Sequence, residues 1–161
     1  MKRRRLLAEL LALSVCILLS LPCPAPAASP QPGTRDKCPV CGMFVAKYPE
    51  WSTSLTFKDG TTEFFDGAKD LFRFYQGVAR YAPRRTPAEI RDIRVKDYYT
   101  LAAIDARSAW YVIGSDVMGP MGREAVAFAR EADARSFFKD HHGSKILRFS
   151  EVTPTIVKGL E

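Results

Sequence analysis

The stretch Phe64-Phe-Asp-Gly-Ala-Lys-Asp-Leu-Phe-Arg-Phe-Tyr75 has a counterpart later in the chain, Phe128-Ala-Arg-Glu-Ala-Asp-Ala-Arg-Ser-Phe-Phe138. Each stretch begins with the aromatic end of a strand-like run and passes through an acidic turn. Each then enters a segment whose apolar residues recur at helical spacing. The same strand-to-helix step therefore occurs twice, which indicates a duplicated structural unit.

The segments around the two steps predict the rest of each unit. In the first unit we expect strands over 51–57, 61–65 and 93–101, a helix over 68–75 capped by Asp66, and a loop over 78–90. In the second unit we expect strands over 109–113, 124–129 and 145–149, a helix over 130–142, and a loop over 114–122. The predicted fold class is α+β, with two tandem ββαβ units that share a core and form small antiparallel or mixed sheets, each with one helix. We place the units at 37–101 and 102–157, followed by a C-terminal tail over 158–161.

The N-terminal segment has the features of a secretory signal. A basic head over 2–5 precedes an apolar run over 10–21 that is too short to span a bilayer, and small residues around Ala27 fit a cleavage site. We therefore assign residues 1–28 to a signal peptide and residues 29–36 to a flexible, Pro-rich tether. The expected location is the periplasm or the outer side of the cytoplasmic membrane. Membrane attachment is expected only if Cys23 is lipidated, and Pro22 stands where a lipidation motif favours a small residue.

The charge balance excludes nucleic acid as a partner. The whole chain has 24 Lys and Arg against 18 Asp and Glu, but four of the basic residues lie in the signal segment. Without that segment the charges nearly balance and form no extended basic stretch, so the sequence lacks the electrostatic pattern of a nucleic-acid-binding protein.

Sulfur-bearing residues are confined to two loops of the predicted folded part. Beyond residue 28 the chain has two cysteines, which excludes a scaffold with several disulfides and a zinc site of four cysteines. All the sulfur atoms of this part lie at the start of the first unit or in the loop over 114–122, and they belong to Cys38, Cys41, Met43, Met118 and Met121. This distribution makes the five residues candidates for a metal site.

Three interpretations of Cys38-Pro-Val-Cys41 remain open from the residues. A zinc site needs two more ligands, and the only histidines, His141 and His142, are adjacent where a zinc finger separates them. A redox pair or a disulfide suits two closely spaced thiols in an oxidising compartment. A Cu(I) site suits thiolate and thioether ligands, and Gly42 lets the backbone bend until the sulfurs of Cys41 and Met43 reach one ion.

The residues of an enzyme active site are not apparent in the sequence. No serine lies in a nucleophile elbow, and no glycine-rich loop links a strand to a helix as phosphate binding requires. The carboxylates, among them Asp66, Asp70, Asp105 and Asp116, occur singly at positions where caps and turns use them. We therefore expect a protein that is not an enzyme.

Two motifs together resemble those of the NosL family. They are Cys38-Pro-Val-Cys-Gly-Met43 and Gly114-Ser-Asp-Val-Met-Gly-Pro-Met-Gly-Arg-Glu-Ala-Val-Ala-Phe-Ala129. The resemblance implies a periplasmic Cu(I) metallochaperone, active in denitrification, that delivers copper by ligand exchange for the copper centres of nitrous-oxide reductase and docks on that enzyme's maturation proteins. It also implies two ββαβ units.

The resemblance assigns the first ligands to Cys41 and Met43. Cys38 is then a third ligand, a disulfide partner or a residue with no part in the site, and Met121 or Met118 is the candidate to close the site from the second unit. The alternatives are a thiol–disulfide oxidoreductase or a zinc-stapled interaction module using both cysteines. A carbon–metal lyase is a further alternative, because NosL-like proteins resemble a domain of organomercurial lyase. The lack of an acid or base beside Cys41 in the sequence argues against both enzymes.

Overall fold

A computed structural model describes residues 29–161, and they form nine strands and four α-helices. The strands are β1 (Thr53–Phe57), β2 (Thr62–Phe65), β3 (Ile90–Lys96), β4 (Ala103–Asp105), β5 (Trp110–Ile113), β6 (Met118–Gly119), β7 (Gly122–Arg123), β8 (Val126–Phe128) and β9 (Lys145–Arg148). The helices are α1 (Ala68–Gln76), α2 (Val78–Tyr81), α3 (Glu131–Asp140) and α4 (Pro154–Lys158).

Both main sheets have a central strand that begins its unit. The first sheet has the order β2-β1-β3-β4 and the second has the order β8-β5-β9, with antiparallel neighbours throughout. In each sheet, the strand just before the main helix, β2 or β8, pairs on one side of the central strand, and the strand after the main helix, β3 or β9, pairs on the other. The predicted α+β fold of two ββαβ units is confirmed.

Several elements differ from those expected. The loop over 78–90 contains α2, and the loop over 114–122 contains the hairpin of β6 and β7. Strand β4 pairs with β3, so the first sheet extends past residue 101. The segment over 158–161 is not a free tail, because Leu160 is only 4% exposed and packs into the core.

The two units share one hydrophobic core. Leu55 and Ile93 are opposite each other on β1 and β3 and are fully buried in this core. Tyr111 of β5 enters the same core, where its ring meets that of Phe72 from α1 at 5.0 Å between centroids. Side chains alternate along β5, so Val112 faces the other way and packs with α3. The second sheet is therefore covered on both faces, and α1 lies between the units.

The predicted signal peptide and Cys23 lie outside the described residues. Within residues 29–161, no helix has the length and apolar character needed to cross a membrane.

Candidate metal centre

A tight loop presents the two cysteines. Lys37 and Phe44 form an antiparallel bridge that closes the loop at its base. Inside it, the Cys38 amide donates to the Met43 carbonyl at 2.8 Å, and the Gly42 amide donates to the Cys38 carbonyl at 2.9 Å. Gly42 has a φ of 80°, a left-handed conformation that a glycine adopts without strain. These bonds fix the loop so that both thiols point toward the start of α1.

Two aspartates from the start of α1 meet the thiols. The Cys38 Sγ–H donates to Asp70 Oδ2 at 3.4 Å, and the Cys41 Sγ–H donates to Asp66 Oδ1 at 3.2 Å. One potential ligand atom from each of the four side chains lies within 4.8 Å of the others. The result is a compact cluster of two sulfur and two carboxylate ligands, which we call the Cys–Asp cluster.

The Cys–Asp cluster is largely removed from solvent. Cys38, Asp66 and Asp70 are each 1–2% exposed, while Cys41 is half-buried. Within the described part of the chain, Asp66 Oδ2 and Asp70 Oδ1 are buried without a hydrogen-bond partner. Buried carboxylate oxygens are normally hydrogen-bonded, so these two mark a site that has unused ligand capacity.

Burial strongly favours the protonated form of both thiols. Desolvation raises the pKa of Cys41 most, the Met43 amide opposes it, and the carboxylates of Asp70 and Asp66 add to the rise, which brings the pKa to about 12. Desolvation likewise raises the pKa of Cys38 far above its usual range. Neither cysteine forms a disulfide. The arrangement therefore consists of two neutral thiols hydrogen-bonded to carboxylates.

The expected cap of α1 by Asp66 is wrong. The N-cap residue is Gly67, and its lack of a side chain leaves room for Glu124, whose Oε2 lies where a Cβ would be. Glu124 Oε1 accepts from the backbone amides of Lys69 and Ala125. A carboxylate from the second unit thus caps the helix of the first, which releases Asp66 to face Cys41.

The hairpin of β6 and β7 is tied to the same end of α1. The Lys69 ammonium group, which is buried, donates to the Met121 carbonyl at 2.6 Å and to the Leu160 carbonyl at 3.4 Å. The Met121 side chain is 45% exposed and that of Met118 is 56% exposed. The structure therefore brings the backbone of the hairpin of β6 and β7, which we call the methionine hairpin, to Lys69, the residue next to Asp70. Ligation of a metal by the thioethers of Met43, Met118 and Met121 stays a prediction.

The histidines do not join the cysteines. In residues 29–161 the one group of cysteine, histidine and carboxylate side chains close enough to hold a metal contains no histidine. His141 Nδ1 lies 3.0 Å from Asp116 Oδ1, in the second unit. A zinc site of cysteines and histidines thus has no support from the geometry.

Sequence reasoning missed Asp66 and Asp70 as partners of the cysteines. The available signal is their position around a helix start, because Asp66 immediately precedes the N-cap Gly67 and Asp70 lies in the first turn. That signal was ambiguous, since acidic residues are common in the first turn of a helix. The contact between Asp66 and Cys41 also corrects the expectation that no acid lies beside Cys41.

Known proteins of one family match this chain. The sequence model of the NosL family matches residues 30–157. The copper-binding lipoprotein NosL of Stutzerimonas stutzeri is 30% identical over 124 residues, which cover 76% of this chain and 65% of that protein. The chain thus spans about two thirds of the length of this curated relative. The crystal structure of the copper chaperone NosL from Shewanella denitrificans superimposes with a TM-score of 0.67 at 27% identity, covering 81% of this chain and 99% of that one.

Proposed function

The chain belongs to the NosL family, and we propose that it is a periplasmic Cu(I) carrier that passes copper by ligand exchange toward the copper centres of nitrous-oxide reductase. The observation that carries the copper-binding part is the Cys–Asp cluster, which lies in the part of the chain that the family model matches. Two relatives named for copper binding or copper transfer support the choice of metal.

The chemistry of the cluster fits a soft monovalent ion. Thiolate sulfur is a preferred ligand of Cu(I), and two thiolates suit the low coordination numbers that this ion accepts. Cys41 and Cys38 would supply these ligands. The thioether of Met43, from the same loop, is the candidate for a third ligand, and Met121 or Met118 is the candidate from the hairpin.

Copper capture would exchange protons for the metal. Each thiol that becomes a ligand loses one proton, so binding one Cu⁺ through both sulfurs releases two protons. The proton of Cys41 would pass first to Asp66 Oδ1 and that of Cys38 to Asp70 Oδ2, along the hydrogen bonds already present. Returning the protons to sulfur would weaken the copper bonds. By accepting and returning these protons, the two carboxylates would assist both the binding and the release of copper.

Transfer to an acceptor would proceed from the side of Cys41. Cys38 is fully buried, whereas Cys41 and Met43 are half-buried and lie at the opening of the loop. An incoming ligand from the acceptor can therefore reach the copper at Cys41 while Cys38 still holds it. This order needs no release of copper into solution.

The location and the acceptor are proposed on separate grounds. The signal-like segment over 1–28 supports export, and the motif resemblance supports nitrous-oxide reductase and its maturation proteins as partners.

The raised thiol pKa values oppose a thiol–disulfide oxidoreductase. Such an enzyme attacks with a thiolate, and its reactive cysteine has a lowered pKa. Here burial raises the pKa of Cys41 to about 12. Asp66 supplies an acid beside Cys41, which the sequence did not show, so the lack of such a group no longer argues against an enzyme. The thiol that Asp66 contacts is nevertheless held in its protonated form.

An anaerobic titration tests copper binding directly. The reduced protein would compete with a chromogenic Cu(I) chelator, beside Cys41→Ser, Cys38→Ser and Met43→Leu. We expect stoichiometric capture by the wild type, loss of capture in both serine variants, and weaker capture in Met43→Leu. Met118→Leu and Met121→Leu, made one at a time, identify which methionine of the hairpin contributes.

Delivery needs its own measurement. Copper-loaded protein would be mixed with apo nitrous-oxide reductase in the presence of excess chelator, so that free copper is trapped. Copper arriving at the reductase under these conditions would establish direct transfer. A wild type that leaves the chelator untouched would contradict the copper-carrier proposal at its first step.

A further inference from the structure

A cationic groove borders the Cys–Asp cluster. It has a volume of about 450 Å³ and lies among α1, α2 and α4. Val40, which stands between the two cysteines in sequence, forms part of its wall. Arg73 forms another part, and its Nη1 lies 3.6 Å from Asp70 Oδ1 of the cluster. The groove is therefore in direct contact with the metal-binding loop.

Positive charge dominates the groove. Arg73, Arg80 and Lys158 line it, against one acidic side chain, that of Glu161. Arg80 and Lys158 are exposed, and neither forms an ion pair with any other residue of the range 29–161. Two free cations thus face a concave surface.

One carboxylate already occupies the groove. The Glu161 side chain is paired with the Arg73 guanidinium group. Arg73 is half-buried, and its Nη1 faces Asp70 while its Nη2 donates to Glu161, so the guanidinium group is held in place and presents Nη2 to a carboxylate in the groove. This contact shows that the groove has the shape and charge to hold an acidic side chain.

Apolar walls separate the cations. Val157 and Tyr81 line the groove, and the Arg80 guanidinium group lies over the Tyr81 ring at 5.4 Å. An ion-exchange surface for small anions needs no such walls, whereas a peptide segment uses them to bury its apolar side chains.

We propose that this groove docks an acidic segment of the protein that exchanges copper with the Cys–Asp cluster, with a partner carboxylate replacing Glu161 on Arg73. The inference rests on the proposed copper-carrier function. Docking here would place the partner against Val40 and so beside Cys41, where ligand exchange takes place. Complementary charge would also speed the encounter and make it sensitive to salt.

A synthetic peptide tests the groove without knowledge of the partner. The probe is the acetylated, amidated peptide Glu-Glu-Phe-Glu-Glu carrying a fluorophore, titrated with the full protein at low ionic strength and followed by anisotropy. Chemical-shift changes in ¹⁵N-labelled protein locate the binding. We expect shifts at Val40, Arg73 and Arg80, and a dissociation constant that rises with salt.

Three variants give the proposal a sharp pattern. Arg80→Glu and Lys158→Glu are expected to weaken peptide binding by about tenfold each. Glu161→Gln removes the resident carboxylate and is expected to tighten binding by about threefold. Arg107→Glu, a matched charge reversal at an exposed site outside the groove, is expected to have no specific effect.

The binding results test the docking proposal, and the copper titrations test the proposed function separately. Unchanged binding in the groove reversals, or unchanged or weaker binding in Glu161→Gln, would overturn the docking proposal. Binding to vesicles containing phosphatidylglycerol without binding to the peptide would overturn it in favour of a lipid surface. The Cu(I) affinity of each variant, measured with the chelator, should equal that of the wild type. If the peptide binds as expected but no variant or wild type captures copper, then the proposed function fails and the docking surface stands.

Discussion

The Asp66 carboxylate accepts a hydrogen bond from the Cys41 thiol and helps to keep the proton on sulfur. Burial is the main reason that the pKa of Cys41 rises to about 12, and the neighbouring carboxylates add to it by favouring the neutral thiol. A neutral thiol is slow to react and to oxidise, because the thiolate is the reactive form. In the proposed role, this would protect a copper carrier that keeps its sulfur ligands free in an oxidising compartment.

The substitution Asp66→Asn should make Cys41 more reactive. The asparagine amide can still accept a hydrogen bond but has no charge, so the pKa of the Cys41 thiol should fall while remaining above its ordinary value. We expect alkylation of Cys41 by iodoacetamide at pH 8 to become up to about tenfold faster, as a shift of one pKa unit would give.

The measurement is mass spectrometry of the alkylated peptide over time, with Asp140→Asn as the control at an exposed carboxylate. Equal rates in Asp66→Asn and the wild type would show that Asp66 has no influence on the thiol.

The sequence identified the cysteines of this site but not its aspartates. Cysteines in a CxxCGM motif have few structural roles, so their types and spacing suffice to mark them. An aspartate before a helix has a common structural role, the N-cap, and only the fold shows that Glu124 has taken that role here. The missing information is a contact between residues far apart in the chain.

At the scale of elements, a buried lysine links the methionine hairpin of β6 and β7 to α1. Lys69 joins the Met121 carbonyl on the hairpin to the Leu160 carbonyl after α4, across the start of α1. Lys69→Met keeps most of the length of the side chain but leaves both carbonyls without this donor. We expect a loss of about 1–3 kcal/mol in the free energy of unfolding and faster amide hydrogen exchange in the hairpin over 118–123.

Lys58→Met, at an exposed turn, is the matched control and should change neither quantity. Hairpin exchange that stays as slow as in the wild type would mean that the β6–β7 pairing holds the hairpin in place without Lys69.

The cap supplied by Glu124 should give the protein a distinct pH dependence. Complete burial raises the pKa of Glu124 from 4.5 to about 7, despite the opposing amides of Ala125 and Lys69. Between these two pH values the folded state holds a proton that the unfolded state has lost, so the contribution of Glu124 to stability falls as pH rises and is constant above about pH 7. The difference corresponds to roughly 3 kcal/mol.

Glu124→Gln keeps an acceptor for the amides and cannot titrate. We therefore expect the unfolding free energy of the wild type minus that of Glu124→Gln to decrease between pH 4.5 and about 7, as measured by urea denaturation. Glu50→Gln, at an exposed site, should give a constant difference. A difference that is flat, or that increases with pH, would contradict the assigned shift.

The sequence predicted whether a segment is a helix or a strand where its apolar residues recur at a clear period. It did not predict which strands pair with each other. The apolar pattern of α1 and α3 and the β-branched and aromatic residues of β1 and β5 each reveal their element. The hairpin of β6 and β7 has only two residues in each strand, too few for any period to emerge. The placement of β4 in the first sheet depends on pairing with β3, which local sequence does not encode.

At the scale of the whole molecule, the two duplicated units form one body with a shared core. The repeated strand-to-helix step predicted both units, and the structure adds that α1 of the first unit packs on β5 of the second. The Phe72 ring is 1% exposed and contacts the rings of Tyr111 and Phe149, both from the second unit. The cysteine loop, the Asp66–Asp70 turn and the methionine hairpin of β6 and β7 all lie beside this interface, so the packing between the units holds the candidate ligands together.

The shared core leads us to expect that the two units unfold together. Trp51 and Trp110 both pack on the cluster around α3, so tryptophan fluorescence reports on the second unit. The amide NMR signals of β1 and β3 report on the first unit. Both observables should give the same urea midpoint. Phe72→Ala removes a buried aromatic side chain from the interface and should lower the unfolding free energy by about 3–5 kcal/mol. It should shift both midpoints equally, because neither unit keeps its core without the other. Separate midpoints for the two observables, or a shift confined to the first unit, would show that the units fold independently and that the site is assembled by docking two stable parts.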